Sequence, residues 1–178
     1  MRTYNAKYRS SEGFTLLELI IVLAILAILL SWSIPSLQQS IRNNSVLAQG
    51  NELIAMLHFA KSEALRRNTD VPILLTAGAN GWTAIVEDPA ELADVEGCIP
   101  GQLRCASHTG VLLITNVAQV NYNNRGYIRS EDDAWTPETL FVQHAQCEGD
   151  NQRQRIDITP TGQISSCSLP CDSVAACQ

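Results

Sequence analysis

The chain has 178 residues, six cysteines and a formal net charge of −6, from 18 acidic and 12 basic side chains. Beyond an apolar N-terminal segment, this length leaves enough chain for one compact domain and too little for two. An acidic chain has no general attraction for phosphate backbones, so the composition argues against nucleic acid as the default partner.

The first 13 residues form a short basic leader. Arg2, Lys7 and Arg9 precede Gly13, and a positive flank of this kind keeps a segment on the cytoplasmic side of a membrane. Residues 14–34 follow as an apolar run interrupted by Thr15, Glu18 and two serines. At about 1.5 Å per residue, a helix of this length crosses a hydrocarbon core of roughly 30 Å.

Glu18 requires an explanation, because a carboxylate at the bilayer centre costs about 2.5–3.5 kcal/mol on insertion scales and less near the interface. One interpretation is a secretory signal with a small-x-small cleavage site at residues 31–33. Against it, the apolar core is longer than usual, contains Glu18 and is followed closely by Pro35. A second interpretation is a plain single-span anchor with Glu18 near the cytoplasmic headgroups.

A third interpretation uses all of these residues. The sequence GFTLLE at residues 13–18, the following run of Leu, Ile, Val and Ala, and Pro35 resemble the N-terminus of type IV prepilins and type II secretion pseudopilins. The resemblance implies that a prepilin peptidase cuts after Gly13, that Phe14 becomes N-methylated, and that residues 14–34 are retained as the packing helix of a filament. Loss of the leader, which carries a net +2, would change the net charge from −6 to −8.

The same resemblance gives Glu18 a role in subunit assembly, as the partner of the N-terminal amine of a neighbouring subunit. The physical chemistry agrees, since a buried carboxylate needs a counter-charge. A local pair is the alternative: Phe14 and Glu18 are four residues apart, so the carboxylate could meet the amine of its own chain. The sequence does not separate the two arrangements.

An amphipathic helix is predicted to continue beyond the apolar segment. Apolar or small residues recur at alternating steps of four and three, as expected for one stripe of a helix. These are Val46, Gly50, Leu53, Leu57, Ala60 and Ala64. The predicted helix runs from about Phe14 to Arg67, and Pro35 should kink or locally unwind it.

Short strands are predicted after this helix, separated by turn signals such as Gly-Ala-Asn-Gly. The candidates are residues 71–76, 82–87, 111–115, 118–122, 127–129, 140–144, 153–159 and 163–167. Residues 88–110 are interpreted as a variable loop outside the core. The expected fold is therefore α+β, a long N-terminal helix on an antiparallel sheet domain. The expected organisation is a leader at 1–13, a membrane or filament-core helix at 14–34, and a periplasmic pilin domain at 35–178.

All six cysteines lie beyond the apolar segment, which favours disulfides in an oxidising periplasm. They are Cys98, Cys105, Cys147, Cys167, Cys171 and Cys177. Of the fifteen possible pairings, the preferred set joins Cys98 to Cys105, Cys147 to Cys167 and Cys171 to Cys177. A metal site is disfavoured because no Cys-x-x-Cys pair is present.

A second resemblance concerns the domain. Glu52-Leu53, Leu57, the sequence AKSEA at residues 60–64, and a final strand, turn, glycine and strand at 155–165 resemble the minor pilin and pseudopilin branch that includes FimU, FimT and GspH. This implies a structural subunit of a type IV pilus priming or tip complex that supports assembly and twitching motility. The implied partners are other minor and major pilins and a tip adhesin, with the chain first in the inner membrane and then in the surface pilus. The alternatives are a type II secretion pseudopilin and a DNA-binding minor pilin.

The sequence lacks the motif that is typical of DNA-binding minor pilins. Relatives of that kind carry Gly-Arg-x-Arg at the last hairpin, whereas residues 162–165 here are Gly-Gln-Ile-Ser. The missing arginines would be the phosphate contacts. Arg153 and Arg155 are near enough in sequence to compensate only weakly, so the sequence disfavours DNA as a partner.

No active site, metal or cofactor is expected. His58, His108 and His144 fall in different predicted elements, and no Gly-x-Ser-x-Gly or phosphate-binding glycine loop is present. The acidic triplet at residues 131–133 lacks the spacing of a calcium-binding loop and is interpreted as a solvated turn.

Overall fold

A computed structural model of the protein describes residues 13–129, 137–149 and 151–177, and its first element is a single long helix. Helix α1 spans Leu16–Arg67, close to the predicted bounds. It ends where Asn68 adopts a left-handed conformation (φ 53°) and Thr69 N–H donates to Ala64 O at 3.3 Å, a common helix terminus. Helix α1 continues without a break through position 35, and the bend at Pro35 stays a prediction.

The chain divides into two compact units, Met1–Gln38 and Gln39–Gln178. Among the described residues, the first unit is the apolar part of α1, and the second contains the rest of the helix and all the strands. The predicted boundaries at residues 13 and 34 stay predictions, and residues 1–12 of the leader lie outside the described part of the chain.

Nine strands are assigned in the described residues, and they form two antiparallel sheets. They are β1 (Val71–Gly78), β2 (Gly81–Glu87), β3 (Gln102–Thr109), β4 (Val111–Thr115), β5 (Gln119–Tyr122), β6 (Ile128–Arg129), β7 (Glu138–His144), β8 (Gln152–Ile158) and β9 (Ile164–Pro170). The five-stranded sheet has the order β3-β2-β1-β5-β6, and the four-stranded sheet has the order β4-β7-β8-β9. The α+β class is confirmed.

The core forms where the predicted helix stripe meets alternate residues of the strands. Every residue predicted for the stripe is buried, and Met56 joins it. Strand β2 shows the alternation clearly, because Trp82, Ala84 and Val86 are buried while the residues between them are half-buried. Period-two burial of this kind is expected for a sheet with one face on a core.

Gly50 sets how closely α1 approaches the four-stranded sheet. A Cβ atom at this position would collide with the side-chain oxygen of Gln154 on β8. Gln154 is itself buried, and its amide donates to Asn51 Oδ1 at 3.3 Å. The glycine in the helix stripe therefore makes room for a polar contact between helix and sheet.

The eight predicted strands are confirmed with small shifts at their ends, but the prediction that residues 88–110 form only a loop is wrong. Strand β3 lies in this region and pairs antiparallel with β2. Gly81 lies opposite Thr109 at one end of the pairing, and Glu87 lies opposite Gln102 at the other. Strand β3 is an edge strand with no fully buried residue. Because no residue of β3 has to be buried, its sequence, QLRCASHT, does not show the apolar alternation that predicts a strand.

The disulfide prediction is correct for one bond and wrong for two. Cys98 pairs with Cys105 as predicted, but Cys147 pairs with Cys171 and Cys167 with Cys177. Cys171 directly follows β9, where its amide donates to Asn151 O in the β7–β8 loop that carries Cys147. Cys167 lies four residues before Cys171, which places the two Cα atoms about 13 Å apart at 3.3 Å per residue. Because Cys147 lies beside Cys171, Cys167 is beyond the roughly 7 Å Cα–Cα limit for a bridge to Cys147.

Candidate functional site

Thr15 caps the start of helix α1. Its hydroxyl oxygen accepts the backbone N–H of Glu18 at 3.2 Å, and its carbonyl accepts the N–H of Leu19 at 3.2 Å. Threonine at the cap with glutamate three residues later is the spacing of a capping box, and a carboxylate in the first turn is favourable at the positive end of the helix dipole. The Thr-x-x-Glu spacing at residues 15–18 is the sequence signal that predicts this cap, which the apolar pattern alone does not reveal.

The first half of α1 presents an exposed apolar surface. Phe14 is 81% exposed, and the large apolar side chains whose exposure is described between it and Ile34 are exposed as well. The helix is long and apolar enough to cross a membrane by length and composition. The hydroxyl of Ser31 donates to Ile28 O at 2.7 Å, so this polar group is satisfied within the helix. Glu18 is the single charged residue in the sequence from 14 to 34.

Gly13 has no packing role of its own. A Cβ atom at Gly13 would meet no atom within 4 Å, and its φ angle does not lie in the left-handed region. The fold of the described chain therefore gives no reason for glycine at this position.

The second half of α1 holds the last hairpin through Lys61. Its ammonium group donates to Gly162 O at 2.7 Å and lies 3.5 Å from Thr161 O. Gly162 has a positive φ of 70°, and a Cβ atom there would collide with Gly126 O of the β5–β6 turn. The AKSEA segment and the strand-turn-glycine-strand segment, which are far apart in sequence, therefore meet at one junction.

A charged network anchors the end of α1 to the loop after β2. Arg67 bonds to Glu63 Oε2 at 2.8 Å and to Asp88 Oδ1 at 2.7 Å. Asp88 also accepts the backbone N–H groups of residues 90, 92 and 93. Burial opposes ionisation of Asp88, but these amides and Arg67 outweigh it and lower its pKa. Hydrogen bonds from Arg66 lead the effects that lower the pKa of Glu63.

Neither arginine of the DNA-binding alternative presents an exposed, unpaired guanidinium. Arg155 Nε donates to both carboxylate oxygens of Asp157 at 2.8 Å, and its Nη1 donates to the carbonyls of Val174 and Ala175. Burial opposes ionisation of Asp157, but the bonds from Arg155 and Thr139 outweigh it and lower the pKa of Asp157. Arg153 is buried, with its guanidinium carbon 4.4 Å from the centroid of the Phe141 ring.

The three histidines are separate, as predicted. His58 is exposed on α1, and His144 at the end of β7 accepts the N–H of Gln146 at 3.1 Å. His108 packs against Trp82, with ring centroids 5.0 Å apart, and its Nε2 lies 2.7 Å from Glu52 Oε2 without the alignment of a hydrogen bond. Within the described ranges, no group of three metal-ligating side chains is found. The acidic triplet at 131–133 lies outside those ranges.

A capped apolar helix with an exposed first half, whose second half packs on antiparallel sheets, defines the pilin class of protein. The chain belongs to the GspH family: residues 49–162 match the family described as type II transport protein GspH. Residues 8–34 match the prokaryotic N-terminal methylation motif. It is thus a protein of the minor pilin and pseudopilin type, with the N-terminal motif of a membrane-anchored pilin. No curated protein sequence matches the chain significantly.

Solved structures show the same fold at low sequence identity. The type IV minor pilin FimU of Pseudomonas aeruginosa is 18% identical with a TM-score of 0.51, and the match covers 68% of this chain and 87% of FimU. The minor pseudopilin EpsH of the Vibrio cholerae type 2 secretion system is 12% identical with a TM-score of 0.50, and the match covers 69% of this chain and 96% of EpsH.

Proposed function

We propose that this protein is a minor pilin, a structural subunit of a type IV pilus priming or tip complex that supports pilus assembly and twitching motility. The observation that carries the proposal is the exposed apolar helix with its single carboxylate, placed ahead of a GspH-family domain. An apolar surface of this size needs lipid or other subunits to cover it. The chain enters the inner membrane by this helix, with the domain in the periplasm, and is then drawn into the filament.

Three residues carry the processing and assembly steps in this proposal. The prepilin peptidase cuts after Gly13, where the described fold itself does not demand glycine. Phe14 becomes the methylated N-terminus. Glu18, in the first turn of the helix, then meets the amine of a neighbouring subunit in an apolar layer, where a lone carboxylate would be costly.

A type II secretion pseudopilin is the second candidate, because EpsH shares the fold with a TM-score close to that of FimU. DNA uptake is a weaker candidate. Arg155 is engaged by Asp157 and by tail carbonyls, and Arg153 is buried, so neither presents a free guanidinium to a phosphate backbone.

Deletion of the gene in its native host separates these candidates. The proposal expects fewer surface pili and loss of twitching zones, restored by the wild-type gene on a plasmid, with export of secreted enzymes unchanged. Immunoblots of sheared pili should detect the protein at low abundance relative to the major subunit. Normal piliation and twitching together with loss of enzyme export would overturn the proposal in favour of the pseudopilin.

A further inference from the structure

The outer face of the five-stranded sheet carries an apolar pocket beside strand β3. Thr83 and Ile85 of β2 alternate with the buried residues of that strand, so their side chains point away from the core. Cys105 and Ser107 lie opposite them on β3, and the Cys98–Cys105 bond ties the preceding loop to the same strand. The pocket has a volume of about 360 Å³, and its lining includes Thr83, Ile85, Cys98, Ile99, Cys105 and Ser107.

An acidic pocket adjoins the apolar pocket. Glu87, two residues after Ile85 on the same side of β2, and Glu91 in the following loop line this second pocket, which has a volume of about 460 Å³. Gln102, at the start of β3, lines both pockets. Within the described residues, the carboxylates of Glu87 and Glu91 have no hydrogen bond or ion pair. Asp88 lines the acidic pocket too, but its carboxylate is already bonded to an arginine and to loop amides.

The loop that forms one side of both pockets is held in place by its own hydrogen bonds. The N–H of Asp88 donates to Gly101 O at 2.9 Å, and the N–H of Gly101 donates to Ala93 O at 2.8 Å. The N–H of Ile99 donates to the side chain of Gln102 at 3.1 Å, while the Ile99 side chain is 69% exposed. The two pockets are therefore preformed, and a ligand would not have to order this loop.

We propose that the two pockets together bind an extended segment of a partner subunit that presents an apolar side chain and a lysine or arginine two residues apart. The spacing follows from β2, because Ile85 and Glu87 lie about 6.6 Å apart at 3.3 Å per residue, and an extended ligand places alternate side chains on one face at the same interval. The unpaired carboxylates of Glu87 and Glu91 complement the cation. This proposal rests on the proposed role as an assembling subunit.

A second copy of this chain and a nucleic acid both fit the pockets less well. The net charge of −6 repels another copy of the chain as well as a phosphate backbone. Pairing of two copies along the β3 edge is also disfavoured, because the register shift between Val86 and Glu87 leaves Leu103 without a partner in β2. A bulge of this kind interrupts the edge of a sheet and hinders the addition of another strand.

The test measures binding of a fluorescein-labelled peptide to the full-length protein in detergent micelles by fluorescence anisotropy at physiological salt. The probe peptide consists of three Phe-Thr-Lys-Thr repeats, which place phenylalanine and lysine on one face of an extended chain. The control peptide has the same composition as three Phe-Lys-Thr-Thr repeats. It should bind at least about tenfold more weakly, because a shift of one residue moves the lysine to the opposite face.

Variants of the acidic pocket test the charge complementarity. Glu87→Gln/Glu91→Gln should weaken binding of the probe peptide at least about tenfold, because each substitution removes an unpaired carboxylate from the pocket. Glu148→Gln/Asp172→Asn is the matched control, since it removes the same charge from two exposed residues that line neither pocket. It should change the affinity by less than about twofold, because salt screens distant charges.

A variant of the apolar pocket tests the other half of the site. Ile99→Ser should weaken binding of the probe peptide severalfold, because apolar contact area is lost. Leu92→Ser, at a residue of the same loop that is 84% exposed and lines neither pocket, should leave the affinity unchanged. Circular dichroism checks that each variant is folded, and Ile99→Ala takes the place of Ile99→Ser if the latter is not.

Four results would overturn the proposal. They are no binding of the probe peptide to the wild type, equal binding of the two peptides, equal loss of affinity in the Glu87→Gln/Glu91→Gln variant and its matched control, and unchanged binding by the Ile99 variant. Peptide binding does not require a filament, so these results stay separate from loss of piliation, which tests the proposed function.

Discussion

The hydroxyl of Thr15 decides at which residue helix α1 begins, and this residue remains in the chain after the predicted cut. Gly13 lies outside the cap, and a Cβ atom added there would meet no atom of the described chain within 4 Å. At the scale of single residues, the start of the helix and the predicted cleavage position are therefore independent, and changes at Gly13 should test processing without disturbing the fold.

Gly13→Leu should abolish leader removal while leaving the helix and the domain folded. The physical reason is that the described chain has room for a side chain here, so a block must arise in the peptidase. Mass spectrometry of the membrane-extracted protein checks the result, with the wild-type chain expected to begin at methylated Phe14. A wild-type chain that begins at any other residue would contradict the prepilin interpretation.

Glu18→Ala should leave membrane insertion intact or improve it, since a carboxylate is removed from lipid. Incorporation into filaments should fall severalfold, because the partner amine loses its counter-charge. Immunoblots of sheared pili at matched membrane levels measure the ratio. Leu19→Ala is the control for a neighbouring truncation on the same helix. Equal recovery of the Glu18→Ala variant and the wild type would leave Glu18 as a local interfacial residue.

At the scale of elements, Lys61 bonds the last hairpin to α1, and Gly162 allows the hairpin to approach Gly126 closely. Gly162→Ala should lower the free energy of unfolding by roughly 2–4 kcal/mol, because the new Cβ atom adds a collision with Gly126 O to the strain at a positive φ. Gly97→Ala is the matched control: its φ is 86°, but no atom lies within 4 Å. It should cost about 1 kcal/mol. Urea unfolding measures both, and equal losses would show that the collision is relieved.

The loop after β2 depends on an ionised Asp88. Its pKa is lowered in the folded state, so its contribution to stability is complete above the ordinary value of about 4 and is lost as the pH falls through the folded value. Asp88→Asn should destabilise the domain by roughly 1–3 kcal/mol at pH 7 and flatten the loss of stability below about pH 4. Asp94→Asn, which removes an exposed carboxylate of the same loop, should change neither the stability at pH 7 nor its loss at low pH. Parallel pH profiles of wild type and Asp88→Asn would contradict this assignment.

The elements that the sequence predicted well are those with a periodic burial signal. The helix stripe and the inward residues of β2 and β8 alternate as their environment requires. Strand β3 gave no such signal, because an edge strand without a fully buried residue can carry polar side chains along its length. The Lys61 junction could not be predicted for a different reason. It joins residues about a hundred positions apart, and sequence spacing does not report such contacts.

At the scale of the whole molecule, disulfides stabilise the distal part of the chain. On the loop-entropy account, the Cys147–Cys171 bond closes a longer loop than Cys98–Cys105, with separations of 24 and 7 residues. Replacing Cys147 and Cys171 by serine should therefore lower the free energy of unfolding by about 1 kcal/mol more than replacing Cys98 and Cys105. Urea unfolding of both double variants checks this, and peptide mapping without reduction checks the pairing. A larger loss for Cys98→Ser/Cys105→Ser would show that local strain or packing outweighs loop length.

The two distal bonds overlap in sequence, because Cys167 lies between Cys147 and Cys171 while its own partner is Cys177. A chain delivered from its N-terminus exposes Cys147 and Cys167 to oxidants before either native partner has arrived. Among these four distal cysteines, the earliest bond available during export is therefore the incorrect one between Cys147 and Cys167. Maturation must then either wait until β9 has paired with β8 or pass through thiol–disulfide exchange. The yield of correctly folded subunit should consequently depend on disulfide isomerase activity in the compartment that receives it.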